Sequence, residues 1–146
     1  MRLVSACLLG INCRYDGENK YNEKVMAIYQ KEVLIPVCPE QLGGLPTPRK
    51  PCGICNVSAG YDSLVKSVGD GKDFTENFRK GAQEVLQLAK RLGITEAILK
   101  QKSPSCGCGK TWQLDDKFEN HMVEGDGILA ALLKKNGIEV ITEEDL

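Results

Sequence analysis

Four short apolar segments alternate with helical segments along the chain, and this alternation is the feature that most constrains its fold. Each apolar segment has the length of one buried strand, and the segments between them can return the chain across a sheet. The predicted strands are Arg2–Ala6, Glu32–Val37, Glu96–Lys100 and Ile138–Thr142. We therefore expect an α/β fold with a mainly parallel, Rossmann-like sheet flanked by helices, formed as one domain by residues 1–146.

The helices are predicted from apolar residues at helical spacing and from residues that favour helix ends. A first helix is expected over Tyr21–Gln30. Asp73 or Thr75 can cap a longer helix, which Gly93 is expected to end. The buried face of that helix is predicted to be Phe78, Ala82, Val85, Leu86 and Ala89.

Two glycine-rich segments interrupt the alternation. Cys38–Gly53 contains four prolines and three glycines, which predicts a long loop without regular structure. A second loop is predicted over "QKSPSCGCGK", residues 101–110. Val65–Val68 is expected to be an edge strand or part of a hairpin. Asp126 can cap a last helix, "GILAALLKKNG", that ends at Gly137.

Composition excludes several classes of protein. The chain has 146 residues, of which 42% are apolar and 27% charged, and its net charge is near -1. These values are ordinary for a globular protein and predict neither an extended nucleic-acid surface nor a membrane span. "VSAC" resembles a lipoprotein cleavage site, but only Met1–Leu3 precede it, so we expect no signal peptide and a cytoplasmic location.

Seven cysteines are many for such a chain, and an odd number cannot all pair with one another. The first predicted strand ends at Cys7, the second ends at Cys38, and the third leads into the loop that contains Cys106. Parallel strands bring their carboxyl ends to one edge of a sheet, where ligands bind in α/β folds. The three thiols are therefore predicted to meet at one site, where they could hold zinc or an iron–sulfur centre.

Two alternatives use the close cysteine pairs instead. A structural zinc site has four ligands and often contains such pairs, so its ligands here would be Cys52, Cys55, Cys106 and Cys108. A thiol redox protein would use the C-x-x-C of "PCGIC". That motif usually follows a strand and opens a helix, whereas prolines precede it here and "NVSAGYD" is a weak helix sequence.

Few other side chains indicate catalysis. His121 is the only histidine, and its neighbours "FENHMVEGDG" are typical of an exposed loop. Glu40 follows Cys38 by two positions, so it is either solvated or placed for acid–base chemistry. Ser103 and Ser105 flank the third cysteine and are as typical of turns as of an active site.

Four segments in this order resemble the small bacterial thiouracil desulfidase family. They are "VSACLLGINCRYDG", "PVCPEQLGGLPTPR", "ILKQKSPSCG" and "GDGILAALLKKNGIEV", and together they span nearly the whole chain. The resemblance implies a [4Fe-4S] cluster, which an aerobic preparation can lack, held by three cysteines that fall on Cys7, Cys38 and Cys106. It further implies that Glu40 is a catalytic acid or base, and that Ser103, or alternatively Ser105, is the catalytic serine.

The reaction implied by the resemblance removes sulfur from a thiolated uracil base or nucleotide without net redox change, with Glu40 deprotonating the attacking water. Arg49 and the helix start at Gly125 and Gly127 could hold a nucleotide phosphate. Arg49 is equally typical of a surface ion pair. This chain has "PRKPCGIC" where family members commonly carry an acidic residue, and its two additional cysteines leave open a variant substrate or a further metal site. The sequence does not predict the oligomeric state.

Overall fold

The computed structural model describes all 146 residues as eight strands and four α-helices. The strands are β1 (Arg2–Ser5), β2 (Leu34–Val37), β3 (Cys52–Ile54), β4 (Val65–Ser67), β5 (Glu96–Leu99), β6 (Lys110–Leu114), β7 (Asn120–Glu124) and β8 (Glu139–Thr142). The α-helices are α1 (Glu23–Tyr29), α2 (Pro39–Leu42), α3 (Thr75–Leu92) and α4 (Ile128–Lys135). Short 3-10 helices lie at Ala6–Leu9, Val57–Asp62 and Glu143–Asp145.

The main sheet is fully parallel and has the strand order β2-β1-β5-β8. All four of its strands lie within the segments predicted from the sequence, and the α/β fold class is confirmed. Neighbouring residues of β1 belong to opposite cores: Leu3 packs with the larger apolar cluster and Val4 with the smaller one. Both faces of the strand are therefore covered, as its two consecutive apolar residues require.

A second sheet of mixed direction has the order β4-β3-β6-β7. The edge strand expected near Val65–Val68 is its strand β4. The expectation of a loop around His121 is wrong, because His121 lies in β7 and pairs with Gln113 of β6. The side chain of His121 is exposed, as predicted. Strand β7 has no buried residue, so its sequence lacks the apolar alternation from which a strand is predicted.

Helix α3 has the predicted apolar face and the predicted end. Phe78, Ala82, Val85, Leu86 and Ala89 are all buried, and Gly93 adopts the left-handed conformation that ends the helix. At the start of α3 the Asp73 carboxylate accepts a hydrogen bond from the Thr75 N–H at 2.8 Å, and the Thr75 hydroxyl contacts the backbone of β4. None of the helices has the length and hydropathy needed to cross a membrane.

Two local predictions are wrong. The segment Cys38–Gly53 is not wholly irregular, because Pro39 begins the short helix α2, where a residue without an N–H costs nothing. Asp126 does not cap α4, whose preceding residue is Gly127. The Asp126 carboxylate instead accepts the Gly109 N–H at 2.9 Å and pairs with Lys134, so it joins the end of the second loop to the helix.

Helices α2 and α3 cross at two glycines. A Cβ atom on Gly81 would lie 1.7 Å from the carbonyl oxygen of Pro39, and one on Gly43 would lie 2.0 Å from that of Asn77. Only glycine permits backbones to approach so closely. Glu40 lies in α2, and Cys38 directly precedes this helix. The packing of α2 on α3 therefore helps to fix the positions of both residues.

We therefore expect Gly81→Ala to destabilise the protein, although alanine favours helix formation. Overpacking against backbone typically lowers the free energy of unfolding by about 1–3 kcal/mol, and urea denaturation measures it. Glu84→Ala, at an exposed position of the same helix, is the matched control and should change stability little. If Gly81→Ala were as stable as the control, the close packing of α2 on α3 would be incorrect.

Candidate functional site

A cavity of about 440 Å³ lies at the carboxyl edge of the parallel sheet. The residues that follow β1, β2 and β5 form its floor and contribute Cys7, Cys38 and Cys106. The second sheet forms one wall with Cys52, Trp112 and Asn120. The strands thus bring the three cysteines of the sequence prediction to one cavity.

Local structure at the end of each strand places each thiol. Cys7 lies in the 3-10 helix that turns the chain immediately after β1, and Cys38 is the N-cap residue of α2. Cys106 lies in a tight turn in which the Ser103 hydroxyl oxygen accepts the backbone N–H groups of Ser105 and Cys106, both at 3.1 Å. The glycine and proline signals in the sequence correspond to these turns.

The cysteine sulfurs are not gathered in threes around the position of a single metal ion. Zinc holds thiolates at about 2.3 Å, so neighbouring sulfurs of a tetrahedral zinc site lie about 3.8 Å apart. No three cysteine sulfurs of this chain lie within 4.8 Å of one another. A [4Fe-4S] cluster spreads its thiolates over separate irons at the corners of a cube, so it needs the wider spacing. The donor set fits such a cluster and not a single zinc ion.

The close cysteine pairs do not form a site of their own. Cys55 and Cys108 lie outside the cavity, and the Cys108 thiol donates to the carbonyl of Val140 at 3.7 Å. Cys52 begins strand β3, so the C-x-x-C segment is a strand and not the start of a helix. The zinc and thiol redox alternatives are therefore not favoured.

Two further thiols line the cavity. Cys52 faces it from the second sheet, and Cys13 lies next to both Cys7 and Cys38. The Cys38 thiol donates a hydrogen bond to the backbone carbonyl of Cys13, with 3.6 Å between the sulfur and the oxygen. The cavity thus contains five of the seven cysteines. Cys13 lies next to two of the predicted ligands, so it can support their positions without being a ligand itself.

Raised pKa values favour the protonated form of three cavity thiols, those of Cys106, Cys52 and Cys38. Burial raises the pKa of Cys106 to about 12 and that of Cys52 to about 12. A hydrogen bond with Cys13, together with burial, raises the pKa of Cys38 well above its ordinary value. Because metal ligands must be thiolates, loading a metal centre here releases protons, and a cationic centre offsets the burial of the resulting charge.

Glu40 projects into the same cavity from the first turn of α2. Its carboxylate forms an ion pair with Arg49, with 3.0 Å between Oε1 and Nε, and accepts the Ser105 hydroxyl on Oε2 at 3.3 Å. The Glu40 side chain is 15% exposed and that of Arg49 is 5% exposed. Arg49 is therefore not part of a surface ion pair, and its guanidinium is turned into the protein.

The two serines have different environments. Ser105 is buried and its hydroxyl contacts Glu40, whereas Ser103 lines the cavity. The Ser103 oxygen already accepts two backbone N–H groups, so its remaining capacity is to donate its proton. Both serines lie close to Cys106 in the sequence. Ser105 contacts the Glu40 carboxylate, and Ser103 contacts the backbone of the turn and lines the cavity.

Gly125 and Gly127 lie away from the cavity, contrary to the expectation that they hold a phosphate. The Gly125 N–H donates to the carbonyl of Gly109, and the Gly127 N–H donates to that of Gly107 at 2.7 Å. The next N–H groups of α4 are bonded to Pro104 and Ser105. The helix start thus anchors the turn around Cys106 and has no free donors for an anion.

Four cationic side chains besides Arg49 line the cavity, and sequence reasoning singled out none of them: Arg14, Lys20, Lys100 and Lys102. Lys100 pairs with Glu143 at 2.9 Å, and Arg14 and Lys102 lie within 4 Å of acidic residues. Lys20 has no carboxylate partner. Trp112 was also missed, because no local pattern distinguishes a cavity tryptophan from a core one.

His121 takes no part in the cavity. It pairs with Asp115 at 2.7 Å on the exposed side of the β6–β7 hairpin, so a cysteine–histidine catalytic pair is not formed.

Comparison with known proteins agrees with the site. A structure described as a [4Fe-4S]-dependent thiouracil desulfidase, TudS, is 38% identical, with a TM-score of 0.86, and the match covers 99% of this chain and 91% of that one. The uncharacterized protein YbbK of Bacillus subtilis (strain 168) is 41% identical over 150 residues, covering 100% of this chain and 97% of that protein. The family model of 2-thiouracil desulfurase matches residues 3–145, and the chain therefore belongs to that family.

Proposed function

We propose that this chain binds a [4Fe-4S] cluster and removes sulfur from thiolated uracil, as a free base or a nucleotide, by hydrolysis. The water oxygen replaces sulfur at the ring carbon and the sulfur leaves as hydrogen sulfide, so no electrons are exchanged. The observation that carries the proposal is the meeting of Cys7, Cys38 and Cys106 in one cavity with the Glu40 carboxylate. The TudS structure, which is cluster-dependent by its description, supports the cofactor.

Cys7, Cys38 and Cys106 would hold the cluster, because they come from the three strand ends that form the cavity floor. Three protein ligands leave one iron of the four without a protein ligand, and this iron would be a Lewis acid with affinity for sulfur. Cys13 and Cys52 remain in the cavity as thiols. Seven unpaired cysteines fit a reducing cytoplasm, in which we place this one catalytic domain.

Glu40 is suited to take the proton of the attacking water. One of its oxygens is held by Arg49 and the other by Ser105, so the carboxylate has a fixed orientation and retains free lone pairs on both oxygens. A general base must be positioned before its basicity matters. Ser103 lines the same cavity and can donate its hydroxyl proton to the base or to the departing sulfur.

The cavity wall is suited to a planar, polar ring. Trp112 presents an aromatic surface on which a pyrimidine can stack. Lys20 has no acidic partner among the lining residues and can pair with an anionic group such as a nucleotide phosphate. Trp112 and Lys20 together therefore suit a pyrimidine nucleotide, with Lys20 in the phosphate-binding role expected of Arg49 and the start of α4.

The first prediction concerns the cluster. Protein purified without oxygen should be brown, contain iron and labile sulfide in similar amounts, and release sulfide from thiouracil or its nucleotide. Cys38→Ser should lose cluster and activity, because it removes a ligand. Cys55→Ser, outside the cavity, should keep both. Stoichiometric zinc in place of iron, or equal cluster loss in the two variants, would contradict the proposed ligands.

The second prediction separates binding from chemistry at Glu40. Glu40→Gln keeps the shape of the side chain and an oxygen for Arg49 but removes the proton acceptor. Iron content should stay at the wild-type level while kcat falls by about 10²–10⁴-fold, the usual contribution of a general base. Glu76→Gln, at an exposed position of α3, is the control. Unchanged turnover in Glu40→Gln would assign the proton transfer to another group.

A further inference from the structure

Arg49 makes the polar contacts that join separate segments of the chain at the site. It follows the loop after α2 and precedes β3, and its side chain is almost fully buried. Its Nε donates to Glu40 at 3.0 Å, and one Nη2 hydrogen bond goes to the carbonyl of Cys13 at 2.8 Å. The same nitrogen lies 4.0 Å from the Cys38 sulfur. Three separate segments therefore meet at one guanidinium.

The other terminal nitrogen is also occupied. Nη1 of Arg49 donates to the Thr47 hydroxyl at 3.1 Å and to the carbonyl of Pro46 at 3.3 Å. A guanidinium has five N–H donors, one on Nε and two on each terminal nitrogen. Four of the five donors thus have oxygen acceptors in the protein, and the fifth, on Nη2, faces the Cys38 sulfur at 4.0 Å. The hydrogen bonds of Arg49 are therefore directed at the protein.

The contacts divide into two functions. The bond to Glu40 fixes one carboxylate oxygen, while Ser105 fixes the other, so rotation of the carboxylate is blocked from both sides. The bond to the Cys13 carbonyl holds the loop after β1 against α2, which bears Glu40 in its first turn. A lysine could satisfy one of these acceptors, but only the planar guanidinium fork reaches both at once.

We propose that Arg49 is a positioning residue that fixes the Glu40 carboxylate at the cavity and makes no contact with substrate. The inference rests on the proposed function, since it concerns the same reaction. It replaces the phosphate-binding role expected from the sequence. Arg49 acts through Glu40, so its removal should matter only while Glu40 is able to take a proton.

A double-mutant cycle tests this dependence. Arg49→Met should lower kcat by about 10²-fold, the scale of a small misplacement of a catalytic group, and change KM by less than about 3-fold. In a Glu40→Gln background the same substitution should change kcat by less than about 3-fold, because the group it positions is already absent. Arg14→Met, at another cavity arginine, is the control and should have the same effect in both backgrounds.

A second variant and a second measurement keep the test decisive if Arg49→Met loses its cluster. Arg49→Lys keeps the positive charge and should retain iron content while lowering kcat. Binding of the oxo products, uracil and uridine monophosphate, should match wild type by calorimetry in both variants. Weaker binding of the nucleotide alone, persisting in the Glu40→Gln background, would show that Arg49 binds phosphate and would overturn the inference.

The outcomes also separate this inference from the proposed function. One outcome is an active wild type in which the effects of Arg49→Met and Glu40→Gln on kcat multiply independently in the double variant. That result would overturn the positioning role alone. A cluster-loaded wild type that releases no sulfide from any thiolated uracil would overturn the proposed function and, with it, this inference.

Discussion

The parallel pairing of β1 with β2 on one side and β5 on the other is the constraint on which the site depends. It aligns three carboxyl ends at one edge, so residues separated by up to a hundred positions along the chain become neighbours. Each strand contains at least two consecutive apolar residues because both faces of the sheet are covered. The buried sheet can therefore end abruptly at polar turns, and these turns carry the thiols.

Much of this could be predicted from the sequence. The four strands of the main sheet, the apolar face of α3 and the convergence of three cysteines follow from periodicity and chain order, as the structure confirms. The hairpin β6–β7 could not be predicted, since β7 has no buried side chain to give a pattern. The place of Arg49 was also beyond reach, because its partners Glu40, Thr47 and Cys13 are brought to it only by the folded loops.

The site buries charged and polar groups, each of which would destabilise the fold if it were buried without a partner. The Arg49 charge is offset by Glu40 and three oxygen acceptors, and the thiols remain protonated because burial raises the pKa of residues such as Cys106 and Cys52. The buried charges of Arg49 and Glu40 thus balance each other, whereas Lys20 adds an unpaired positive charge to the cavity lining. Cys7, Cys38 and Cys106 would lose their thiol protons on holding a metal centre, whose positive charge would offset the buried thiolates.

Gly53, in the segment "PRKPCGIC", determines how the second sheet closes one wall of the cavity. A Cβ atom on Gly53 would lie 1.9 Å from the Asn120 side-chain oxygen and 2.8 Å from Leu114, so no side chain fits there. Asn120 instead fills that part of the wall and donates to the carbonyl of Cys52 at 3.2 Å. A side chain at position 53 and the present position of the Asn120 side chain therefore exclude one another. The wall facing Glu40 in this chain is consequently neutral, and Glu40 is the only carboxylate lining the cavity.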